Sequence, residues 1–490
     1  MQFVVVALYC ISLLIILCFS LVQFNLTLHY LKGKRNNRRK SAETPETSDS
    51  NLPHVTVQLP VYNEKYVVER LIDAVASFDY PKDRLEIQVL DDSNDETVEI
   101  IADKVEEWQA QGIDIQQVRR PERKGFKAGA LQYGLDIAKG DLVAIFDADF
   151  MPDKDFLLKT APQFDNEEIG VVQTRWGHLN KDYSFLTKVQ AFGLDAHFSI
   201  EQSGRNLAGS FINFNGTAGV WRKSCIYEAG GWSADTLTED LDLSYRAQMK
   251  GWKFLYLEDI VAPAELPVIM PAIKSQQYRW NKGAAETARK NLGKVLKSKL
   301  RFKNKIHAIF HLFNSAMYVG LLITSVLSIP MLFIKDSNPN LEIFFHLAST
   351  FLIGFLAMSY FYWVSSRQTN PNKTFKYYIT TFPAFLAFSM GLSLHNAIAV
   401  LEGLLGFKSP FIRTPKFNIK DKKDSWKGNT YVKPSISVLT LLEGLFCAYF
   451  IFGIASGIYL HDWGLLFFHL TLTIGFGSIF YHSIKPLRYA

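Results

Sequence analysis

Two carboxylates spaced i, i+2 close the run Leu142-Val143-Ala144-Ile145-Phe146-Asp147-Ala148-Asp149. The five apolar residues ahead of them, entered through Lys139-Gly140, predict a strand buried on both faces. Alternation along a strand puts Asp147 and Asp149 on one side, and at a strand end both can reach one hard cation. Mg²⁺ or Mn²⁺ takes oxygen ligands and is commonly held by one or two carboxylates plus phosphate oxygens. Two solvated aspartates in a turn would show the same spacing. A second acidic pair, Asp91-Asp92, ends the apolar run 85–90. Thr238-Glu239-Asp240 opens a helix, where a Thr or Asp often serves as a cap. Gln276, Arg279 and Trp280 share one helical face by i, i+3, i+4 spacing. That pattern also suits a helix lying on a membrane surface, with Arg snorkelling and Trp at the headgroups. Gln173-Thr174-Arg175-Trp176 falls one residue short of the same spacing and is given no role.

The elements that must position these groups alternate. Strands are predicted over 54–60, 85–90, 113–118 and 142–146, with helices to about 77, over 95–111 and over 128–139. Strand–helix alternation with long crossovers implies an α/β fold: a mostly parallel sheet with helices on both faces. Ligands then sit beyond the carboxyl ends of the strands. Pro60 to Glu64, Asp91-Asp92 and Asp147 to Asp149 all lie at such ends. The chain has no G-x-x-x-x-G-K-[ST] and no G-x-G-x-x-G, so neither a Walker-type NTPase nor a Rossmann dehydrogenase is indicated.

Composition is uneven along the 490 residues, which are 48% hydrophobic overall. Residues from about 52 to 300 resemble a soluble α/β protein, whereas the first 31 and most of those after 305 are far more apolar. Stretches 3–29, 307–334, 341–364 and 435–459 are long enough to cross a bilayer, as is 463–484 despite His469 and His482. The first is too long for a signal-peptide core and lacks a small-residue cleavage site, so a retained anchor (1–31) is expected. Lys32, Lys34, Arg35 and Arg38 to Lys40 follow it directly, which places the large domain in the cytoplasm. A polar linker extends to 53. Residues 377–406 carry Pro383, His395, Asn396 and Glu402 and predict an interfacial or half-inserted segment, leaving five crossings. The net charge of +6 is explained by such flanks and implies no nucleic-acid partner. Cys10, Cys18, Cys225 and Cys447 have no metal spacing.

Together the motifs resemble the family 2 inverting nucleotide-sugar glycosyltransferases, and among them the processive membrane synthases. Their pattern of D, D-x-D, T-E-D and Q-x-x-R-W is met by Asp91-Asp92, Asp147/Asp149, Thr238-Glu239-Asp240 and Gln276 with Arg279-Trp280. The likeness is strongest to plant cellulose-synthase-like proteins of the mannan, glucomannan and xyloglucan-backbone type, through 88–93, 127–131, 214–222 and 276–280. Phe411-Ile412-Arg413-Thr414-Pro415-Lys416 looks like the F-x-V-T-x-K gating loop of cellulose synthases, with Arg413 in place of Val, inside a basic segment 407–433.

The resemblance implies a GT-A domain (54–265) inserted between transmembrane helices, interfacial helices (266–305) and a membrane region (306–490). It implies Asp240 as catalytic base and a Mg²⁺ or Mn²⁺ ion on Asp147 and Asp149. Tyr62, Glu64, Asp91 and Asp92 would meet the nucleoside. Lys127, Asp147 and Arg279 would meet the sugar diphosphate, Thr238, Glu239 and Gln276 would line the site, and Trp280 would stack on the acceptor. Phe411, Thr414 and Lys416 would form the gating loop. The donor would be GDP-mannose or UDP-glucose and the partner a growing polysaccharide among membrane lipids. Two rivals share parts of this pattern: a single-transfer enzyme with a lipid acceptor, and an inactive membrane scaffold or transporter. Retention of every carboxylate argues against the second.

Overall fold

The computed structural model describes residues 2–37, 52–338, 352–372, 375–409, 412–431 and 436–489. A seven-stranded sheet comprises β1 (Val55–Val61), β2 (Leu85–Asp91), β3 (Asp114–Val118), β4 (Leu142–Ile145), β5 (Ile169–His178), β6 (Gly219–Arg222) and β7 (Lys253–Ala264). Their order is β3-β2-β1-β4-β6-β5-β7. All neighbours run parallel except β6, which is antiparallel to both β4 and β5. The expected parallel sheet is therefore present, with one reversed strand that apolar spacing did not announce.

Two-sided burial explains the unbroken apolar run of β4. Leu142, Ala144 and Phe146 pack into one core, Val143 and Ile145 into the other. Each large side chain so buried contributes about 1.5–3 kcal/mol. Because β2 lies on one side of β1 and β4 on the other, the chain changes direction across the sheet between β1 and β4. Crevices open at the carboxyl ends of strands at such a switch.

Two helices bring the remaining motifs to that edge. Glu239–Met249 starts directly after Thr238, and the 28-residue helix Met270–Lys297 carries Gln276, Arg279 and Trp280. They meet at Gly283, where a Cβ would lie 2.5 Å from Thr238 Cγ2 and 2.8 Å from Thr238 N. Gly283→Ala is expected to displace Thr238 and its neighbours and to destabilise the fold by about 1–3 kcal/mol. Thermal melting and turnover measured together test this: an unchanged midpoint with unchanged turnover would refute the close approach.

Three described helices are long and apolar enough to cross a membrane: the one beginning at Gln2, Asn314–Ser337 and Val438–Tyr459. Residues 377–406 form a pair, Phe375–Gly391 and Ser393–Leu405, bent by 49°, which reads as a broken span or a re-entrant loop. The count among the described residues is thus three, or four with the bent pair, against five expected. Leu352–Thr369 and Leu466–Ile484 are helices of 18 and 19 residues that fall short of that apolarity, and 339–351 lie outside the described residues. The helix Gln2–Asn37 is docked on the sheet domain: Tyr30 donates to Glu258 at 3.0 Å, and a Cβ on Gly204 would lie 2.6 Å from Leu26 O.

Candidate active site

In-register pairing brings three strand ends to one edge, with Val61 opposite Asp91 and Gln58 opposite Ile145. Beyond β1 the backbone turns at Asn63, with φ +54°. The crevice that opens there is lined by Tyr62, Glu64, Asp92, Lys127, Asp147 and Asp149. Thr238, Glu239, Asp240, Gln276, Arg279 and Trp280 line its other side, and Thr414 and Lys416 reach it from the loop after the bent helix pair. Its empty volume, open mouth included, is about 1310 Å³. Phe411 lies outside the described residues.

Asp91 does not line the crevice. Adjacent residues of an extended chain point to opposite faces, and Asp91 is turned inward. Its Oδ1 accepts from Ser93 N at 2.8 Å, and its Oδ2 from Gln117 at 2.9 Å and Arg119 at 3.3 Å. Asp92 faces the other way and is clamped by Arg120 through two bonds, at 2.7 and 2.6 Å. Arg123 lies over the Tyr62 ring, 3.3 Å from its centroid. Thr238 makes no capping bond with its side chain, so capping does not account for it.

Acid and base alternate across the site. Lys127 Nζ bonds Asp147 at 2.5 Å and Gly216 O at 2.8 Å. From the far loop, Lys416 pairs with Asp149 at 2.6 Å, Arg413 with Glu64 at 2.8 Å, and Thr414 accepts from Arg279 at 2.8 Å. Burial pushes Glu64 up to about 7 despite Arg413 and Lys416. Burial, then the adjacent charge of Glu239, pushes Asp240 up to about 7 as well. Burial opposes the charge on Lys127, yet Asp147 and Glu239 hold it above the usual lysine value. A carboxyl poised near neutrality in a cleft suits proton abstraction. Gly216 sits against it: φ is +79°, and a Cβ there would come within 2.8 Å of Asp240 Oδ2.

Among the described residues no group of three His, Cys, Asp or Glu is gathered for a metal. Asp147 and Asp149 offer two hard oxygen donors, each now facing a lysine ammonium. That donor set fits a divalent cation whose remaining ligands are phosphate oxygens and water.

A second cavity, of about 1710 Å³ with its open mouth included, adjoins the first. Trp176, Asn215, Thr238, Asp240, Gln276 and Trp280 line both and form the neck between them. It runs on among the apolar helices, past Phe19, Gln23, Tyr362 and Phe385.

Residues 53–301 match the protein family described as glycosyltransferase like family 2. The chain belongs to the family 2 glycosyltransferases. It is 42% identical over 288 residues to glucomannan 4-beta-mannosyltransferase 1 of Oryza sativa subsp. japonica, covering 58% of this chain and 55% of that protein. To probable glucomannan 4-beta-mannosyltransferase 4 of the same plant it is 37% identical over 379 residues, covering 76% and 67%. The chain thus spans between about half and two thirds of these relatives' lengths. Among solved structures, a mannosyltransferase from Pyrobaculum calidifontis in complex with GDP-Man and Mn²⁺ aligns over 81% of this chain and 100% of its own, at 19% identity and a TM-score of 0.54. The sheet domain of this glycosyltransferase is accordingly of the GT-A type.

Sequence reading missed several residues at this site. Arg123, Trp176 and Asn215 carried no assigned role, although Asn215-Gly216 lies in the Phe214–Arg222 run that resembles the cellulose-synthase-like proteins. Trp176 failed a helical spacing test because it sits on a strand, β5.

Proposed function

We propose that this glycosyltransferase extends a β-1,4-linked polysaccharide at a membrane, adding mannose from GDP-mannose, with glucose from UDP-glucose as the second donor. The observation that carries the reading is that the crevice adjoins, across Asp240 and Trp280, a cavity among the apolar helices. A single transfer to a lipid needs no such passage. The names of the relatives support the linkage and the sugar.

The roles follow from the chemistry. Asp240 takes the proton of the acceptor hydroxyl, whose oxygen attacks the anomeric carbon as the bond to the diphosphate breaks. With one base and no covalent intermediate, attack from the opposite face inverts an α-linked donor to a β-linkage. Asp147 and Asp149 would hold Mg²⁺ or Mn²⁺, which supplies positive charge against the leaving diphosphate. Arg279 adds a planar fork for phosphate oxygens and Lys127 a point charge. Tyr62, Glu64 and Asp92 form the nucleoside end, with Asp91 holding Arg119 behind them. Thr238, Glu239 and Gln276 shape the neck, and Trp280 offers its face to the acceptor sugar. The sheet domain (54–265) and interfacial helices (266–305) would lie on the cytoplasmic side, and 306–490 would carry the chain's passage through the membrane lipids. Thr414 and Lys416 would close over the donor.

Membranes containing the protein, incubated with one radiolabelled sugar nucleotide at a time, test the reading. The expected product is a polymer labelled from GDP-mannose and cut by β-1,4-mannanase. A short, organic-extractable product would favour transfer to a lipid, and no donor consumption would favour the inactive scaffold.

A further inference from the structure

Eight lysines and arginines lie between Arg289 and Lys305, and no Asp or Glu occurs between Glu286 and Asp336. The basic stretch covers the end of the helix Met270–Lys297 and the start of the helix Phe302–Leu312. Some of these cations are engaged inside the fold. Lys290 pairs with Asp235 at 2.8 Å and Asp242 at 2.9 Å, and Lys305 donates to Leu296 O at 2.7 Å. Lys294, Lys297, Lys299, Arg301 and Lys303 are exposed and meet no carboxylate among the described residues. The helix dipole accounts for Lys294 and Lys297, which stand in the last turn of Met270–Lys297. It opposes Arg301 and Lys303, which open the next helix with no acidic residue in its first turn. Like charges gathered this closely repel, and the fold supplies them no counter-charge.

Large apolar side chains stand among the cations. Phe302 is 79% exposed and Leu296 48%, and Ile306 is exposed one turn on from Phe302. The other side of the same helix is packed: Ala308 and Leu312 join a core with Tyr245 and Val295. Phe310 shares the side of Phe302 and Ile306 by i, i+4, i+8 spacing. It meets Phe19 of the N-terminal helix at 5.1 Å between centroids, just before the chain enters the apolar helix Asn314–Ser337. Lys303 Nζ lies 3.3 Å from His29 Nε2, and in the two turns beyond His29 the N-terminal helix exposes Lys32 and Arg35. Cations and apolar side chains thus gather where the adjacent ends of two apolar helices leave the sheet domain.

We propose that this surface binds the anionic headgroups of the lipid leaflet that faces the sheet domain. The lysines and arginines reach headgroup phosphates and carboxylates, while Phe302, Ile306 and Leu296 enter the acyl boundary beside them. A cluster of cations directly beside a membrane helix attracts anionic lipid at short range. Setting the orientation of a span needs only an excess of positive charge. It does not call for exposed apolar side chains interleaved with the cations. Bound headgroups fix the far end of the helix Met270–Lys297, about 25 Å from Trp280 at the helical rise per residue. The helix that carries Gln276, Arg279 and Trp280 is thereby held against the leaflet. This surface rests on the membrane reading given above.

The test uses the full chain reconstituted in phosphatidylcholine vesicles with a trace of spin-labelled phosphatidylserine or spin-labelled phosphatidylcholine. Electron paramagnetic resonance separates lipid held at the protein from free lipid. Phosphatidylserine is expected to associate at least about fivefold more strongly, the attraction of roughly one cation at a membrane surface. Salt at about 0.5 M should at least halve that preference by screening. Replacing Lys299→Gln, Arg301→Gln and Lys303→Gln together should bring the ratio close to unity. A ratio unchanged in this variant, or unmoved by salt, would overturn the surface. Equal association of the two lipids with the wild type would overturn it too, and would leave an acidic protein segment as the occupant. If the triple variant does not reconstitute, Lys299→Gln with Arg301→Gln, both in the exposed turn between the helices, decides by the same ratio. A wild-type chain that alkaline carbonate strips from the vesicles would instead bring down the membrane reading, and the surface with it.

Discussion

Asp240→Asn is expected to reduce glycosyl transfer by about 10²–10⁴-fold, the range that general-base catalysis supplies, while nucleotide binding stays near normal. The carboxylate stands at the neck, where an acceptor would arrive, and not among the groups at the nucleoside end. Burial and the charge of Glu239 hold it at about 7, against the partial relief given by Lys127. Its sign in catalysis follows directly. Below pH 7 Asp240 is protonated and cannot take a proton, so kcat/KM should climb about tenfold per pH unit and level off above neutrality. In Asp240→Asn that limb should vanish with the activity. Glu239→Gln removes a like charge, so the limb should move to lower pH without disappearing. A pH profile across 5 to 9 for the three proteins checks this. Turnover above a tenth of wild type in Asp240→Asn, or an unmoved limb in Glu239→Gln, would remove Asp240 as the base.

The parts of this site that a linear sequence displays are those written by strand and helix periodicity. An apolar run ending in carboxylates marks a strand that is buried and then surfaces, and β1, β2 and β4 do this side by side. Helical spacing put Gln276, Arg279 and Trp280 on one face, and all three line the crevice. Asp91 and Asp92 look equivalent in sequence but cannot be, because neighbours on an extended chain face opposite ways. Strand β6 is four residues long, and β7 carries Glu258 and Asp259 within it, so neither shows a clean apolar period. In β5, Gln173 and Thr174 are buried because they bond Ala218 O, a use of polar side chains that no periodicity reveals. The contribution of the loop at 413–416 was visible as a basic segment. Which acids it meets, Glu64 after β1 and Asp149 after β4, depends on the packing of helices far downstream of both strands. Of the two expected spans not counted among the described residues, 341–364 lies partly outside them, and His469, His482 and several Thr and Ser residues dilute the helix Leu466–Ile484.

Withholding divalent cations, or replacing Asp149, the proposed ligand, is expected to abolish donor binding. Asp149 is 4% exposed, and its Oδ2 pairs with Lys416 at 2.6 Å. A metal ion and an ammonium cannot share that oxygen without strong repulsion, because in a poorly solvated site like charges interact far more than in water. If Asp149 holds the ion as proposed, Lys416 would have to leave it, and the arriving phosphate oxygens would offer that ammonium another partner. In the position seen here, cations of the segment 412–431 neutralise Glu64 and Asp149, and on this proposal a second position would go with bound donor. Asp149→Ala should weaken metal-dependent donor binding by more than the roughly 10–100-fold that loss of a supporting outer-shell group costs. Lys416→Ala separates the two positions. It should bind Mn²⁺ alone about tenfold more tightly, which is about 1.4 kcal/mol, yet bind the sugar nucleotide more weakly. Electron paramagnetic resonance of Mn²⁺ reads the first effect and nucleotide titration the second, neither needing turnover. Donor binding that survives a chelator would end the metal assignment. Unchanged Mn²⁺ affinity in Lys416→Ala would show that the lysine does not compete for the carboxylate.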